Sequence, residues 1–407
     1  MFGTPSHPSE LSHRCLFYPH DAPPPWREGW ERFDWQLDTL KQLGEDLCRE
    51  DFSVLSMRST DAKVAVLRRR SANTILWDET FFDYLQRFMT ALADPSRENV
   101  WRTVQHYLLH HLAELFVLRE PHRSLLFLDL SQGALLDEPI KGFRASDQTM
   151  ADLHNMFRMV RNFALLHEIG HSAMEKPALY DRERRNLDAI RTVYGRIKDL
   201  PVRVFGPTPH ADFIDLILTR SDNPKVEREV LADLFAVNIL IEFDIQGLKQ
   251  RGERSEETEL YLCALAYNAL ALFYYVQASL NGVRRYFIDE KILVREDLGA
   301  DDRVLSVTAR GDLRLYLIAH HAFQLCSHDL ERFGQFQRLL DDPRFRFAGT
   351  FRDTQLPPYE YLLTMDRGPI DRQLAQWSAQ IPREEALAMA ARRLGLADPG
   401  GGAGVKR

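Results

Sequence analysis

The sequence predicts a mainly helical α+β protein with a small mixed sheet and additional helices. Apolar residues recur every three to four positions through several long segments, which is the spacing of helices that bury one face. Alternating apolar residues occur in short runs between positions 62 and 79, as is typical of short strands. Hydrophobic residues make up 45% and charged residues 27% of the 407-residue chain, which is an ordinary balance for a globular protein.

The amino-terminal third is predicted to contain short helices around a strand pair. Residues 1–31 are rich in proline and are expected to form an extended arm. The "SAN" tripeptide at 71–73 suits the turn of a strand pair. The predicted elements are, in chain order, a helix over 32–49, strands over 62–70 and 73–79, helices over 81–93 and 99–118, and a strand over 123–133.

The next segment is predicted to be a long helix that begins at Ser146 or Asp147, since both residue types are good N-caps. Apolar residues recur every three to four positions from Leu153 onward, and the same face then carries His167 and His171. We therefore expect a half-buried helix that holds the two histidines rigidly.

Further helices are predicted in the second half of the chain. Pro224 suits the first position of one of them. The expected helices cover 179–200, 224–246, 313–326 and 359–381. The corresponding domain limits are 1–31 for the arm, 32–340 for the main domain, 341–397 for a helical extension and 398–407 for a disordered tail.

Residues 260–280 form an uncharged stretch of the length that can cross a bilayer. Asn268 lies near its middle, and alanine, tyrosine and cysteine dilute its hydropathy. The sequence favours a buried core helix over a membrane span, and the second interpretation stays open.

Composition excludes several function classes. A formal net charge of −7 and a pI near 6.1 argue against a nucleic-acid partner. The four cysteines form no CxxC pair, and Cys263 and Cys326 are expected to be reduced core residues. The amino terminus has no signal-peptide pattern, so a cytoplasmic location is expected.

The stretch "HEIGH" at 167–171 is the strongest chemical signal. His167 and His171 are four apart on a helix and face the same way, so both imidazoles can bind one metal ion. Glu168 projects at a different angle, beside the open position of such an ion, where a general base is needed. Two histidines and one glutamate form a known ligand set for a single catalytic zinc ion.

A third ligand is expected from "EREVLADLFAVN" at 227–238. Glu229 and Asp233 are four apart on one helix face. Glu229 would complete the coordination, and Asp233 would accept a hydrogen bond from the distal nitrogen of a ligand histidine. Glu227 is the competing third ligand, but a leucine, Leu231, lies four places after it.

HExxH followed by a helix with Glu-x-x-x-Asp resembles the gluzincin class of zinc metallopeptidases. The pattern of Glu229, Ala232, Asp233, Phe235 and Ala236 is similar to the ImmA/IrrE-type intracellular peptidases. The Lit-type phage-exclusion peptidases are the alternative likeness. The resemblance covers about residues 145–245. It implies a zincin-like core, in which the two histidines and the glutamate of the second helix bind zinc and the glutamate of HExxH is the catalytic base.

The donor that stabilises the oxyanion is harder to predict. Peptide hydrolysis benefits from a tyrosine, histidine or arginine at the developing charge. His328 is the candidate that we assign as catalytic, and the alternatives are His320, His321, Tyr267 and Tyr274. The histidine pair at 110–111 is a weaker candidate.

The function expected from these features is that of a zinc-dependent endopeptidase acting on an intracellular protein or peptide substrate, in regulation or phage defence. An edge strand of the sheet would hold an extended substrate by backbone pairing. Two alternatives stay open. One is an interaction protein that zinc stabilises without catalysis, and the other is a membrane-associated metallopeptidase that uses 260–280 as an anchor.

Overall fold

The computed structural model describes residues 34–57, 64–68, 73–92, 97–136, 147–197, 224–289 and 367–395, with two short helical pieces at 334–335 and 338–339. In these ranges the protein is mainly helical with one small mixed sheet, as predicted. The elements are α1 Asp34–Cys48, β1 Phe52–Met57, β2 Ala65–Arg68, β3 Asn73–Asp78, α2 Glu79–Leu92, α3 Arg97–Phe116, α4 Pro121–Leu136, α5 Asp147–Ala173, α6 Pro177–Ile197, α7 Pro224–Arg251, α8 Glu256–Asp289, α9 Arg367–Gln380 and α10 Arg383–Arg393.

The sheet has three strands in the order β1-β3-β2. Strand β2 pairs antiparallel with β3, which confirms the predicted strand pair. Strand β1 pairs parallel with β3, from Phe52 opposite Asn73 to Met57 opposite Asp78. The sequence did not predict β1, because Val54 and Leu55 are adjacent apolar residues that give no alternation.

The strand predicted over 123–133 is wrong, because this segment lies inside helix α4. Residues Leu125, Leu126, Phe127 and Leu128 are all buried. Helix α3 packs on one side of α4, and α9 and α10 pack on other sides, so the helix is apolar nearly all round. Such a run carries no helical period and cannot be told from a buried strand by pattern. The third strand of the sheet is therefore β1.

The described elements group into two compact units. The first contains α1, the sheet, the start of α2, helices α5 to α7, and α8 through residue 275. The second contains the rest of α2, helices α3 and α4, the end of α8, and helices α9 and α10. The domain limits predicted from the sequence stay a prediction, because the residues on either side of each limit lie outside the described ranges.

Helix α8 contains the uncharged stretch 260–280. Its residues at 260, 263–266, 268–270, 272, 273, 276 and 280 are buried, as expected of a buried helix. Asn268 donates from its side-chain amide nitrogen to the carbonyl oxygen of Ala264 at 2.8 Å, so this nitrogen finds a partner within the helix itself. Among the helices in the described ranges, none combines the length and hydropathy that a bilayer span needs.

Helices α5 and α7 pack against each other in opposite directions. Arg158 of α5 pairs through both guanidinium nitrogens with Asp244 of α7, at 2.7 and 3.0 Å. Further along α5, Gly170 lies against Ala232 of α7. A Cβ atom on Gly170 would lie 3.0 Å from the carbonyl oxygen and 3.1 Å from the Cα of Ala232. The glycine therefore allows the two backbones to approach closely at this level.

The sheet and α1 both pack against α5. Trp77 at one end of β3 lies under the guanidinium of Arg161, 5.6 Å from the ring centroid. At the other end of β3, Asn73 donates to Glu50, which also pairs with Lys176 just beyond α5. Strand β3 therefore runs along the second half of α5 in the opposite direction. The structure thus holds the histidine-bearing part of α5 between the sheet, α1 and α7.

The close contact at Gly170 predicts opposite effects for two glycine-to-alanine changes. Gly170→Ala should lower the free energy of unfolding by about 1–3 kcal/mol, because backbone atoms of Ala232 cannot rotate away from the new methyl group. Gly247→Ala, at a partly exposed position of α7, should raise it by about 0.5–1 kcal/mol, because alanine is the better helix former and the added atom meets only the Arg251 side chain at 3.5 Å. Urea unfolding followed by circular dichroism measures both. Equal stabilisation by the two changes would contradict the close contact.

Candidate metal centre

Helix α5 brings His167, Glu168 and His171 together. One potential ligand atom from each of these side chains lies within 4.8 Å of the other two. The two imidazole rings are 4.7 Å apart between centroids and nearly perpendicular, at 79°. His167 and Glu168 are buried and His171 is partly exposed. Spacing by four along one helix face accounts for the convergence of the histidines.

Helix α7 adds the carboxylate of Glu229 to this group. Its Oε2 lies 3.5 Å from Nε2 of His167, and its Oε1 lies 3.7 Å from Nε2 of His171. These separations are longer than ordinary hydrogen bonds. Ligands about 2.0–2.2 Å from one tetrahedral zinc ion lie about 3.3–3.6 Å from each other. The two oxygens of Glu229 therefore lie from the imidazole nitrogens at separations close to those between ligands of one ion, so these side chains could hold a divalent metal.

Asp233 lies on the far side of His167. Its Oδ1 is 2.7 Å from Nδ1 of His167, and its side chain is almost fully buried. A carboxylate at this distance favours the tautomer with the proton on Nδ1, which leaves the lone pair of Nε2 directed toward Glu229. The position of Asp233 is the one predicted from its spacing to Glu229, and its role in orienting the imidazole stays a prediction.

Glu227, the competing third ligand, is directed toward α6. Its Oε1 accepts a hydrogen bond from the hydroxyl of Tyr180 at 3.2 Å and lies 3.4 Å from Nη1 of Arg184. Residues two apart on a helix point to opposite sides, so one of these two glutamates can face α5 while the other faces α6. The structure brings Glu229, and not Glu227, to the histidines.

The sequence did not predict that the carboxylate of Glu183 on α6 is buried. The side chain of Glu183 is fully buried and pairs with Arg182 at 2.7 Å. Asn186 and Asn238 donate to its second oxygen at 3.0 and 3.1 Å. Asn238 belongs to α7, so this carboxylate links α6 to the helix that carries Glu229. The run "DRERRNLD" has the composition of a solvated helix face, and nothing in its pattern distinguishes the buried glutamate.

The candidates for oxyanion stabilisation fall mostly outside the described ranges. His328, His320 and His321 lie in the stretch between 289 and 367 that the structure does not describe at these positions. Tyr267 is partly exposed on α8, and the side chain of Tyr274 is not described. The assignment of His328 stays a prediction.

The second compact unit contains a histidine cluster of its own on α3. His110 and His111 lie 3.5 and 3.3 Å from opposite oxygens of Glu114. Burial raises the pKa of Glu114, but hydrogen bonds from the two histidines lower this pKa by a larger amount. The net pKa of Glu114 therefore lies well below the usual range. Burial lowers the pKa of His106, whose Nδ1 lies 2.8 Å from the carbonyl oxygen of Ser131. Within the described ranges, the α5 group is the one whose potential ligand atoms lie close enough together to share a metal ion. We therefore interpret the α3 cluster as structural.

Comparison of the chain with models of protein families, with curated proteins and with solved structures found no match. The likeness to zinc metallopeptidases therefore rests on the motif residues of α5 and α7 alone.

The geometry predicts a graded loss of zinc affinity. Asp233→Asn should weaken zinc binding by about 10–100-fold, the usual cost of losing a partner of a ligand histidine, and Glu229→Gln should cost more because it removes a ligand. Glu242→Gln is the control, because this exposed glutamate lies on the same helix away from the histidines. Competition titration with a chelator measures all three. Wild-type affinity in Glu229→Gln would exclude that residue as a ligand.

Proposed function

We propose that this protein is a zinc-dependent endopeptidase that hydrolyses peptide bonds of an intracellular protein. The observation that carries the proposal is that the Glu229 oxygens lie 3.5 and 3.7 Å from Nε2 of His167 and Nε2 of His171, close to the separations between ligands of one ion. Glu168 lies in the same group and supplies a carboxylate that can act as a base. Hydrolysis needs such a base, whereas a purely structural metal site does not.

In this proposal the two imidazoles and the carboxylate of Glu229 would hold a zinc ion, which is a ligand set of catalytic zinc sites. The ion would supply Lewis acidity, which would make water more acidic and polarise the carbonyl of the scissile bond. Asp233 holds the proton of His167 on Nδ1, which keeps Nε2 available as a ligand.

Glu168 acts as the general base. Its carboxylate accepts a proton from the attacking water and later donates that proton to the nitrogen of the leaving amine. The side chain is buried, which shields its carboxylate from bulk solvent. The same carboxylate therefore serves both halves of the reaction.

Substrate recognition is proposed to use the edge of the sheet. Strand β2 is at an edge of the three-stranded sheet and contacts α5. An extended peptide can add to such an edge through main-chain hydrogen bonds, which depend little on side-chain identity. This arrangement suits cleavage within a protein chain. A role in regulation or phage defence follows from the family likeness alone.

The proposal predicts that Glu168→Gln separates metal binding from catalysis. This variant should keep zinc, since the two histidines and Glu229 remain, and should lose about 10²–10⁴-fold in cleavage rate, the usual contribution of a general base. His167→Ala should lose both zinc and cleavage. New protein termini in cells that express the wild type, compared with cells that express each variant, measure cleavage, and chelator titration measures zinc.

The same experiment distinguishes the non-catalytic alternative. A zinc ion that only stabilises the fold predicts that metal removal unfolds the protein. It also predicts that cells expressing the wild type and Glu168→Gln have identical protein termini. That pair of results would rule out the peptidase.

A further inference from the structure

Three side chains tie the start of α7 to α6, and we call this group the α6 clamp: Tyr180, Arg184 and Glu227. The Tyr180 hydroxyl donates to Oε1 of Glu227 at 3.2 Å, and Arg184 donates to the Tyr180 hydroxyl at 3.0 Å. Nη1 of Arg184 also lies 3.4 Å from Oε1 of Glu227. Each member thus contacts both others, and Tyr180 and Arg184 both approach the same oxygen of Glu227.

The clamp lies at the first turn of α7. The helix begins at Pro224, so Glu227 lies in its first turn and Glu229 lies only two residues further. The first turn of a helix lacks the full set of internal hydrogen bonds and tends to fray. The third candidate ligand is therefore near a helix end that other contacts must hold in place.

The clamp also sets the rotation of α7 about its axis. Successive residues on a helix are about 100° apart, so Glu227 and Glu229 point in nearly opposite directions. Contact of Glu227 with α6 consequently turns Glu229 toward α5. Rotation of this turn away from α6 would carry the Glu229 carboxylate away from the imidazoles.

Chain connectivity places this contact close to the two histidines. Helix α5 ends two residues after His171, and a short turn leads directly into α6. The turn is held by backbone hydrogen bonds, including those from Met174 to Gly170 and from Lys176 to Ala173. The clamp thus links the segment that carries both histidines to the helix that carries the third ligand.

We propose that Tyr180 and Arg184 are positioning residues for the metal centre: through Glu227 they hold the first turn of α7 so that Glu229 faces His167 and His171. The inference rests on the proposed function to the extent that Glu229 is taken as the third ligand. Neither residue is proposed as a metal ligand or as a contact of the substrate.

The test compares two tyrosine-to-phenylalanine variants. Tyr180→Phe removes the hydroxyl of the clamp. Tyr261→Phe is the matched control, because its hydroxyl also donates to a carboxylate in the same compact unit, that of Asp152 at 2.8 Å. Asp152 lies 15 positions before His167, about 22 Å along a helix at 1.5 Å per residue. Both variants lose one tyrosine–carboxylate hydrogen bond, and only one of them loses it beside the metal centre.

The readouts are zinc affinity by chelator competition and the visible absorption of the cobalt-substituted protein, which reports the number and geometry of ligands. Tyr180→Phe should bind zinc about tenfold more weakly, the low end of the cost of losing a partner outside the ligand set. Its cobalt spectrum should differ from that of the wild type. Tyr261→Phe should match the wild type in both measurements.

Substitution of Glu227 completes the test. Glu227→Gln keeps an oxygen that accepts from Tyr180 and should retain most of the zinc affinity, whereas Glu227→Leu should resemble Tyr180→Phe. The double variant Tyr180→Phe with Glu227→Leu should be no weaker than Glu227→Leu alone, because both changes break the same contact.

Two results separate the inference from the proposed function. Wild-type zinc affinity and an unchanged cobalt spectrum in Tyr180→Phe and Glu227→Leu would overturn the positioning role and leave the peptidase proposal standing. Zinc affinity that depends on the clamp, together with cleavage that does not depend on Glu168, would support the positioning role and overturn the peptidase.

Discussion

The candidate metal centre depends on the close contact between the backbones of α5 and α7. Gly170 has no side chain, so Ala232 packs directly against it. A larger residue at either position would separate the helices, and the carboxylate of Glu229 would lie too far from the imidazoles to share an ion with them. Small residues at a helix crossing usually serve packing alone. Here the same contact also sets the separation between ligands contributed by two distant parts of the chain.

Charge explains why a divalent cation suits this position. Glu168, Glu229 and Asp233 bring three carboxylates next to His167 and His171, and the groups are mostly buried. Carboxylates removed from water are costly unless they are paired or bind a metal. In the proposed site, a doubly charged ion held by two imidazoles and one carboxylate would offset most of this cost, and metal binding would then be coupled to the stability of the helix pair.

Helix α6 also packs against α7 and thereby stabilises the α5–α7 helix pair. It contacts α7 at two levels, through Glu227 near the start of that helix and through Asn238 about three turns further along. The carboxylate of Glu183 is fully buried, so its hydrogen bonds to Asn186 and Asn238 are needed to satisfy it. Two carboxylates, one on each helix, thus fix the orientation of α7 while Gly170 fixes its distance from α5.

Local pattern was enough to predict α5, α7, the β2–β3 pair and the face shared by His167 and His171, because helical and strand periods are properties of consecutive residues. Spacing also favoured Glu229 over Glu227. Two features were beyond that reasoning. Helix α4 is apolar nearly all round and β1 lacks alternation, so neither carries the period of its own structure. The contacts of Tyr180, Arg184 and Glu183 with α7 depend on which helix faces meet. The sequence by itself determined which side chains share a face, and only tertiary packing decided which faces touch, because residues far apart in the chain meet through shape and not through any periodicity.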